Sequence, residues 1–404
     1  MTALSRSAPA PWLIGLLGSL VAFGPLSIDM YLPALPRIAA SLGVSAALAQ
    51  LTIGGFLAGF CLGMLVYGPL SDRFGRRPLL LGGMALYIAC NLGCALADSA
   101  SQLILLRFLQ ALGGGAGSVM ARAMVRDLYP LDCAAPVLSL LHLVTMLAPL
   151  LAPLIGGWLL AAAGWRALFL ALALFGAANL ALVWRLLPES LPAERRDKTG
   201  ALVAFGAYGL LLSDRRSLAY LLANGLIFGG MFAFITGSPF VYIDYFGVSP
   251  QRYGWLFGLN IASVMLLTLL NRRLCQEVGA DRLLRWQTGT AALAGLALWG
   301  FSGGSLPAVV LPLLLTVGLT GSIGPNCMAR LLQLHETRVG AAMALAVSGQ
   351  FGFGMAASAL VALRQDGTPR AMCLAVAVCC VGSRLALSLS PSPRKASPHA
   401  SATL

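Results

Sequence analysis

Gly68-Pro69-Leu70-Ser71-Asp72-Arg73-Phe74-Gly75-Arg76-Arg77-Pro78 packs four charged residues into eleven, with long apolar runs on both sides. A polar stretch in that setting reads as a short loop where the chain leaves a membrane and re-enters it. Its chemistry suits a clasp. Gly68 and Gly75 allow tight turns and close helix approach. Asp72 offers an acceptor at a helix end, and Arg73, Arg76 and Arg77 suit anionic lipid or carbonyl ends. Charge bias alone would orient a chain, but it needs neither glycines nor an aspartate.

Outward from this stretch, composition bounds the class. Apolar residues make up 58% of the 404 and charged residues 10%, which excludes an ordinary soluble domain and a disordered chain. The net charge of +13 would suggest nucleic acid in a soluble protein. Here the arginines cluster in short segments between apolar runs, where they orient the chain, so no nucleic-acid partner is expected. Nine cysteines are scattered, and His142, His335 and His399 lie far apart without metal-ligand spacing. Neither a disulfide framework, a metal site nor a cofactor is expected. The first apolar run contains Asp29 and ends in Leu32-Pro33-Ala34-Leu35-Pro36. It lacks a short apolar core followed by a cleavage site, and reads as a retained span.

Twelve apolar runs approach the length that crosses a bilayer as helix: 11–36, 46–68, 78–97, 102–124, 136–160, 165–187, 218–243, 252–271, 282–301, 307–330, 339–363 and 370–389. The fold class read from them is an all-α integral membrane protein of twelve transmembrane helices in two pseudo-symmetric six-helix halves. With the Gly68–Pro78 stretch inside the cell, most basic residues fall inside, from Arg6 through the Arg185–Arg216 group to Arg394 and Lys395. Both termini are then cytoplasmic. The only long connection, 188–217, reads as a cytoplasmic linker between an N-terminal half (1–187) and a C-terminal half (218–389), followed by a disordered tail (390–404). Within the linker, Ala201 to Leu212 is apolar but too short to span, so an interfacial helix is expected. Asn271 to Arg282 echoes the Arg, Gly and Asp content of the clasp about 200 residues later, as repeated halves would.

Ionisable groups inside spans cost several kcal/mol unless paired or solvated, so function is sought there. Asp29 and Arg107 fall at similar estimated depths, roughly 10 Å below the outer surface at 1.5 Å per residue, and are expected to form an ion pair or proton relay. On span four, Arg107, Gly114, Ser118 and Arg122 fall within about 80° of one another, a lane suited to a cavity wall. Span five carries Pro149 and Pro153 followed by Gly156 and Gly157, a pattern for a hinge or a tight seal. Span seven supplies Phe232, Ser238 and further aromatics that suit a broad apolar substrate, while Tyr242 and Tyr245 also fit an outer aromatic belt. Asn260, Asn326 and Gln350 are single polar residues expected to face a cavity or a neighbouring helix.

Gly68, Leu70, Asp72, Arg73, Gly75, Arg76 and Arg77 together resemble the signature loop of the major facilitator superfamily of secondary transporters. Arg107-Phe108-Leu109-Gln110-Ala111-Leu112-Gly113 resembles its span-four motif, with Ala111 where a glycine is usual. Ala148-Pro149 to Gly157 resembles the antiporter motif, with Ala148 and Ala152 replacing two glycines. Ser27-Ile28-Asp29-Met30-Tyr31-Leu32-Pro33, Arg126-Asp127-Leu128-Tyr129-Pro130 and Gly237-Ser238-Pro239-Phe240 resemble the Bcr/CflA drug-resistance subfamily. The resemblance implies a monomeric proton-coupled exporter of small amphipathic antibiotics (bicyclomycin, sulfonamide or amphenicol class) in the bacterial inner membrane, with small-molecule substrate, protons and membrane lipid as partners. It matches Asp29 to the span-one acid of related exporters and Arg107 and Gln110 to the span-four motif, implying proton coupling at Asp29 and Arg107; together with the polar and aromatic residues read above, substrate contacts are expected at Asp29, Tyr31, Gln110, Phe232, Ser238, Asn260, Asn326 and Gln350. It also implies gating by the clasp residues and by Pro149, Pro153, Gly156 and Gly157. The alternative is a carrier for one endogenous metabolite, running as export or uptake. No nucleophile, zinc or phosphate-loop constellation points to an enzyme.

Overall fold

A computed structural model of the chain describes residues 11–196 and 201–389. The expected disordered tail, Arg6, Arg394, Lys395 and His399 lie outside the described residues. Spans form helices because hydrocarbon offers no partner for an exposed peptide group, and a helix satisfies each N–H and C=O internally.

The first span is bent by 42° between α1 (Pro11–Val21) and the segment that follows. That segment runs as α2 (Phe23–Asp29), a 3₁₀ turn (Leu32–Ala34) and α3 (Leu35–Leu42). Pro33 and Pro36 withhold the N–H groups a continuous helix would need. Because helix continues to Leu42, Asp29 lies deeper than a span ending at residue 36 would place it. The first half continues with α4 (Ala46–Phe74), α5 (Arg76–Ala95), α6 (Ala100–Leu128), α7 (Leu131–Ala163) and α8 (Arg166–Leu186). The linker forms α9 (Ala201–Ser213). The second half has α10 (Arg215–Pro239) with a π-helical turn (Phe240–Tyr245), α11 (Pro250–Val278) and α12 (Ala280–Gly300). It closes with α13 (Leu306–Gly318) leading into α14 (Thr320–Leu334), then α15 (Val339–Leu363) and α16 (Arg370–Ser388).

Among the described residues, ten helices are long and apolar enough to cross a membrane, and the bent first span makes eleven. The twelfth expected span is α12. It packs on α16 and α13, and its 21 residues reach about 31 Å at 1.5 Å per residue. Asp281, Arg282, Arg285 and Gln287 dilute its apolar character.

The clasp is not a loop. α4 remains helical to Phe74 and α5 begins at Arg76, so the polar stretch is two helix ends joined by one residue. Polarity marked where the chain meets water, and helix extends past that boundary. Gly75 is the joint: its φ of +97° is left-handed, and a Cβ would lie 2.6 Å from the Glu189 carboxylate. Gly68 does not serve close approach, since it lies inside α4 and a Cβ there would meet nothing within 4 Å. Close approach is found at Gly59, where a Cβ would lie 2.0 Å from the Phe108 carbonyl of α6.

The halves meet along two seams, α4 against α15 and α7 against α11. On the first, Phe60 of α4 meets Phe351 of α15 with ring centroids 4.6 Å apart, and Phe351 meets Phe232 of α10 at 5.5 Å. We call the end carrying Phe74 and Arg76 the clasp face and the opposite end the far face.

Candidate functional site

Arg107 is the largest fully buried side chain among the described residues. Its Nη1 donates to the Ser27 carbonyl at 2.9 Å and to Gln110 Oε1 at 2.7 Å. The guanidinium lies between two rings, 4.5 Å from the Tyr31 centroid and 4.4 Å from that of Phe56, where the ring faces attract the cation. Gln110 passes the network on to Asn91 at 2.7 Å, and Asn91 donates to the Tyr87 carbonyl at 2.8 Å. The Tyr87 hydroxyl in turn meets Ser27 Oγ at 2.7 Å. Tyr31 fixes its hydroxyl on Thr52 at 2.8 Å. Tyr31 and Gln110 are thus joined to the arginine, not to an open cavity. The lane on α6 is likewise enclosed: Arg107, Gly114 and Ser118 are buried, and Gly114 faces Tyr87 and Phe23. Asn91 carries part of this network and was missed; a lone amide within an apolar run was the signal.

The expected Asp29–Arg107 ion pair is not made. Arg107 grips the carbonyl of Ser27, two residues away, and among the described residues its Nε and Nη2 have no hydrogen-bond partner. These two N–H groups form one edge of the guanidinium, the fork that matches a carboxylate. Asp29 is 4% exposed, and among the described residues its carboxyl has no hydrogen-bond or ion-pair partner. Two glycines fix its surroundings. A Cβ on Gly156 would lie 2.1 Å from the Met30 carbonyl, and one on Gly157 would lie 2.9 Å from the Pro250 carbonyl of α11. α7 therefore holds the break in the first span against the start of the second half's α11. Pro149 and Pro153 do not interrupt it, as α7 is helical throughout. Across this far-face seam, Tyr253 lies within electrostatic reach of Asp29.

In the second half, Tyr253 Oη meets Ser238 Oγ at 2.9 Å. Tyr242 is fully buried, so it belongs to the core and not to an aromatic belt, whereas Tyr245 is 44% exposed. Asn260 donates to the Leu256 carbonyl at 3.1 Å, and its side chain lies within hydrogen-bonding reach of the Tyr242 hydroxyl. Gln350 donates to Asn224 Oδ1 at 3.1 Å. Of the two placements expected for it, a cavity or a neighbouring helix, Asn326 takes the second. It sits in an amide triad, donating to Asn271 at 2.9 Å and to Gln287 at 3.1 Å, which binds α14 to α11 and α12. Its hydrogen-bonding capacity is spent between helices.

At the clasp, Arg76 is buried and does not face lipid. It pairs with Asp72 at 2.7 Å and with Asp127 at 3.1 Å, and it also donates to Ser71. Arg77 donates to the Trp184 carbonyl at 2.7 Å, ending α8 as a cation should. Arg73 lies over the Phe74 ring at 5.3 Å. The linker completes the arrangement. The Glu189 carboxylate accepts the Arg76 and Arg77 backbone N–H groups at 2.9 and 3.2 Å, capping α5 from 113 residues away. Ser190 donates to Asp127 at 3.0 Å. Neither Glu189 nor Asp127 had been expected in the clasp.

A family model described as Major Facilitator Superfamily matches residues 17–386. The chain belongs to the major facilitator superfamily. It is accordingly a multi-pass membrane transporter and not an enzyme. It is 36% identical over 334 residues to the "Uncharacterized MFS-type transporter YdgK" of Bacillus subtilis, covering 82% of this chain and 83% of that protein. It is 34% identical over 376 residues to the "Bicyclomycin resistance protein homolog" of Haemophilus influenzae, covering 92% and 94%. The "Chloramphenicol resistance protein" of Pseudomonas aeruginosa is 32% identical over 314 residues, covering 74% and 72%. Among solved structures, a D-xylose-proton symporter superposes with a TM-score of 0.72 at 18% identity, covering 92% of this chain and 96% of that one. At that identity the likeness speaks for the major facilitator fold alone.

Proposed function

We propose that this transporter is a proton-coupled exporter of small amphipathic antibiotics, working by alternating access in the bacterial inner membrane with the clasp face and both termini cytoplasmic. The observation that carries the reading is Asp29, a buried carboxyl without a partner, set where the first span meets the second half. A buried unpaired carboxylate costs far more than the neutral acid, so the closed far-face seam favours a proton on Asp29. Opening that seam admits water and lets the proton leave or return. Proton and cargo then compete for one conformational equilibrium, which is sufficient for exchange.

Phe232, Ser238, Asn260 and Gln350 are buried in this structure and are proposed as contacts of an amphipathic cargo when the halves separate. Relatives named for bicyclomycin and chloramphenicol resistance support that class. The test is drug-induced proton release from purified protein, with bicyclomycin and chloramphenicol as probes. Asp29→Asn is expected to abolish release and uphill export while leaving equilibrium drug binding in place. Undiminished release in Asp29→Asn would remove Asp29 from coupling.

A further inference from the structure

Pro69 lies inside α4, and a proline leaves the carbonyl four residues earlier without its helical donor while its ring pushes that carbonyl outward. The carbonyl is that of Leu65. It is not left bare, because the Tyr208 hydroxyl of the linker helix α9 donates to it at 3.3 Å. One turn along α9, Leu211 is fully buried with Leu221 of α10, Leu331 of α14, and Ala342 and Ala346 of α15. The linker helix is therefore rooted in the second half by an apolar side chain and tied to the first half by a hydroxyl. Asp72, seven residues beyond Leu65 and so on the same face of α4, lies within electrostatic reach of Tyr208. The tie thus adjoins the clasp ion pair.

We propose that Tyr208 is a positioning residue for the transport cycle, its hydroxyl latching the linker helix to the α4 carbonyl that Pro69 exposes and so holding the α4–α15 seam together at the clasp face. The proposal rests on the alternating-access reading above. A bond from a helix rooted in one half to the backbone of the other survives only while the halves stay together on that side. It must break whenever the clasp face opens. A long hydroxyl-to-carbonyl bond suits such a latch, because it adds directional hold without a large barrier to release.

The native thiol of Cys61 supplies the readout, since it lies on α4 against Gly352 of α15. In full-length protein whose other cysteines are replaced by serine, the rate of N-ethylmaleimide modification of Cys61 reports opening of the seam. Tyr208→Phe, which keeps the ring, is expected to raise that rate about fivefold, corresponding to about 1 kcal/mol for one hydrogen bond, with drug affinity unchanged. Pro69→Ala returns an N–H to the Leu65 carbonyl within α4. In that background Tyr208→Phe is expected to have no further effect. An unchanged rate in Tyr208→Phe, or the same fold-change with and without Pro69, would overturn the latch. A Cys61 rate insensitive to drug and pH in the parent protein would overturn the alternating-access reading together with it.

Discussion

Arg107 shows how a permanent cation is held in a membrane without an acid. Two ring faces, a backbone carbonyl and an amide oxygen surround it, and each contact depends on the planar, delocalised guanidinium. Lysine keeps the charge but can neither stack between Tyr31 and Phe56 nor hold Ser27 and Gln110 from one flat group. Arg107→Lys is expected to lower stability by about 2 kcal/mol, read as a fall in Tm in detergent. An unchanged Tm would mean that charge alone matters at this position. That Asp29 and Arg107 lie inside spans was legible because ionisable residues stand out in apolar runs, whereas the depth of Asp29 was not, because the first span runs on to Leu42. Their failure to pair was not legible either, because the guanidinium's preference for the Ser27 carbonyl follows from where the backbone of the broken first span falls. Asn326 illustrates the same limit: its polarity was evident, but Asn271 and Gln287 decide whether it meets cargo or neighbouring helices.

Single helices carry distinct duties, and α7 separates two of them at adjacent residues. Gly156 presses on Met30 within the first half, while Gly157 presses on Pro250 across the seam. Gly156→Ala is expected to destabilise the fold, since the first span cannot move away from its own half. Gly157→Ala is expected to leave Tm nearly unchanged and to increase far-face accessibility, measured by labelling a cysteine placed at Gln251. Equal Tm losses for both would contradict this division. α10 starts on Asp214, whose carboxylate accepts the Ser217 hydroxyl and backbone N–H, at 2.5 and 3.0 Å. The Ser217 hydroxyl bond chiefly holds the Asp214 carboxyl below its ordinary 3.8, with the Ser217 and Arg216 backbone N–H groups and His335 adding to it. A carboxyl lowered on folding stabilises fully above its ordinary value and loses that contribution as pH falls through the lowered one. Asp214→Asn keeps a cap and is expected to flatten the acid-side dependence of Tm below about pH 4. An acid limb that survives the substitution would assign that dependence elsewhere. The apolar runs foretold these helices well, but not their ends, because the last polar turns of α4 and the first of α5 remain helical beyond the hydrocarbon.

Over the whole molecule, the superfamily fold was readable from the count of apolar runs and the Gly68–Pro78 stretch, and the count faltered only at α12. Hidden from the sequence was the long-range wiring of the clasp, where Glu189 and Asp127 arrive from 113 and 51 residues away. That wiring is remote from the seam's aromatic surface. Asp72→Asn is expected to slow turnover several-fold while equilibrium drug affinity stays within twofold, measured by transport in proteoliposomes beside binding in detergent. A collapse of affinity with the fold intact would place Asp72 at the cargo site.

The row of rings from Phe60 through Phe351 to Phe232 joins the halves by apolar contact between faces. Separating such surfaces exposes hydrocarbon to cavity water, which carries a positive heat-capacity change. The balance between the two open forms should therefore bend with temperature instead of following a straight van't Hoff line. Cooling weakens apolar adhesion, so this seam is expected to loosen in the cold, and export measured against temperature should show a curved profile well below any unfolding transition.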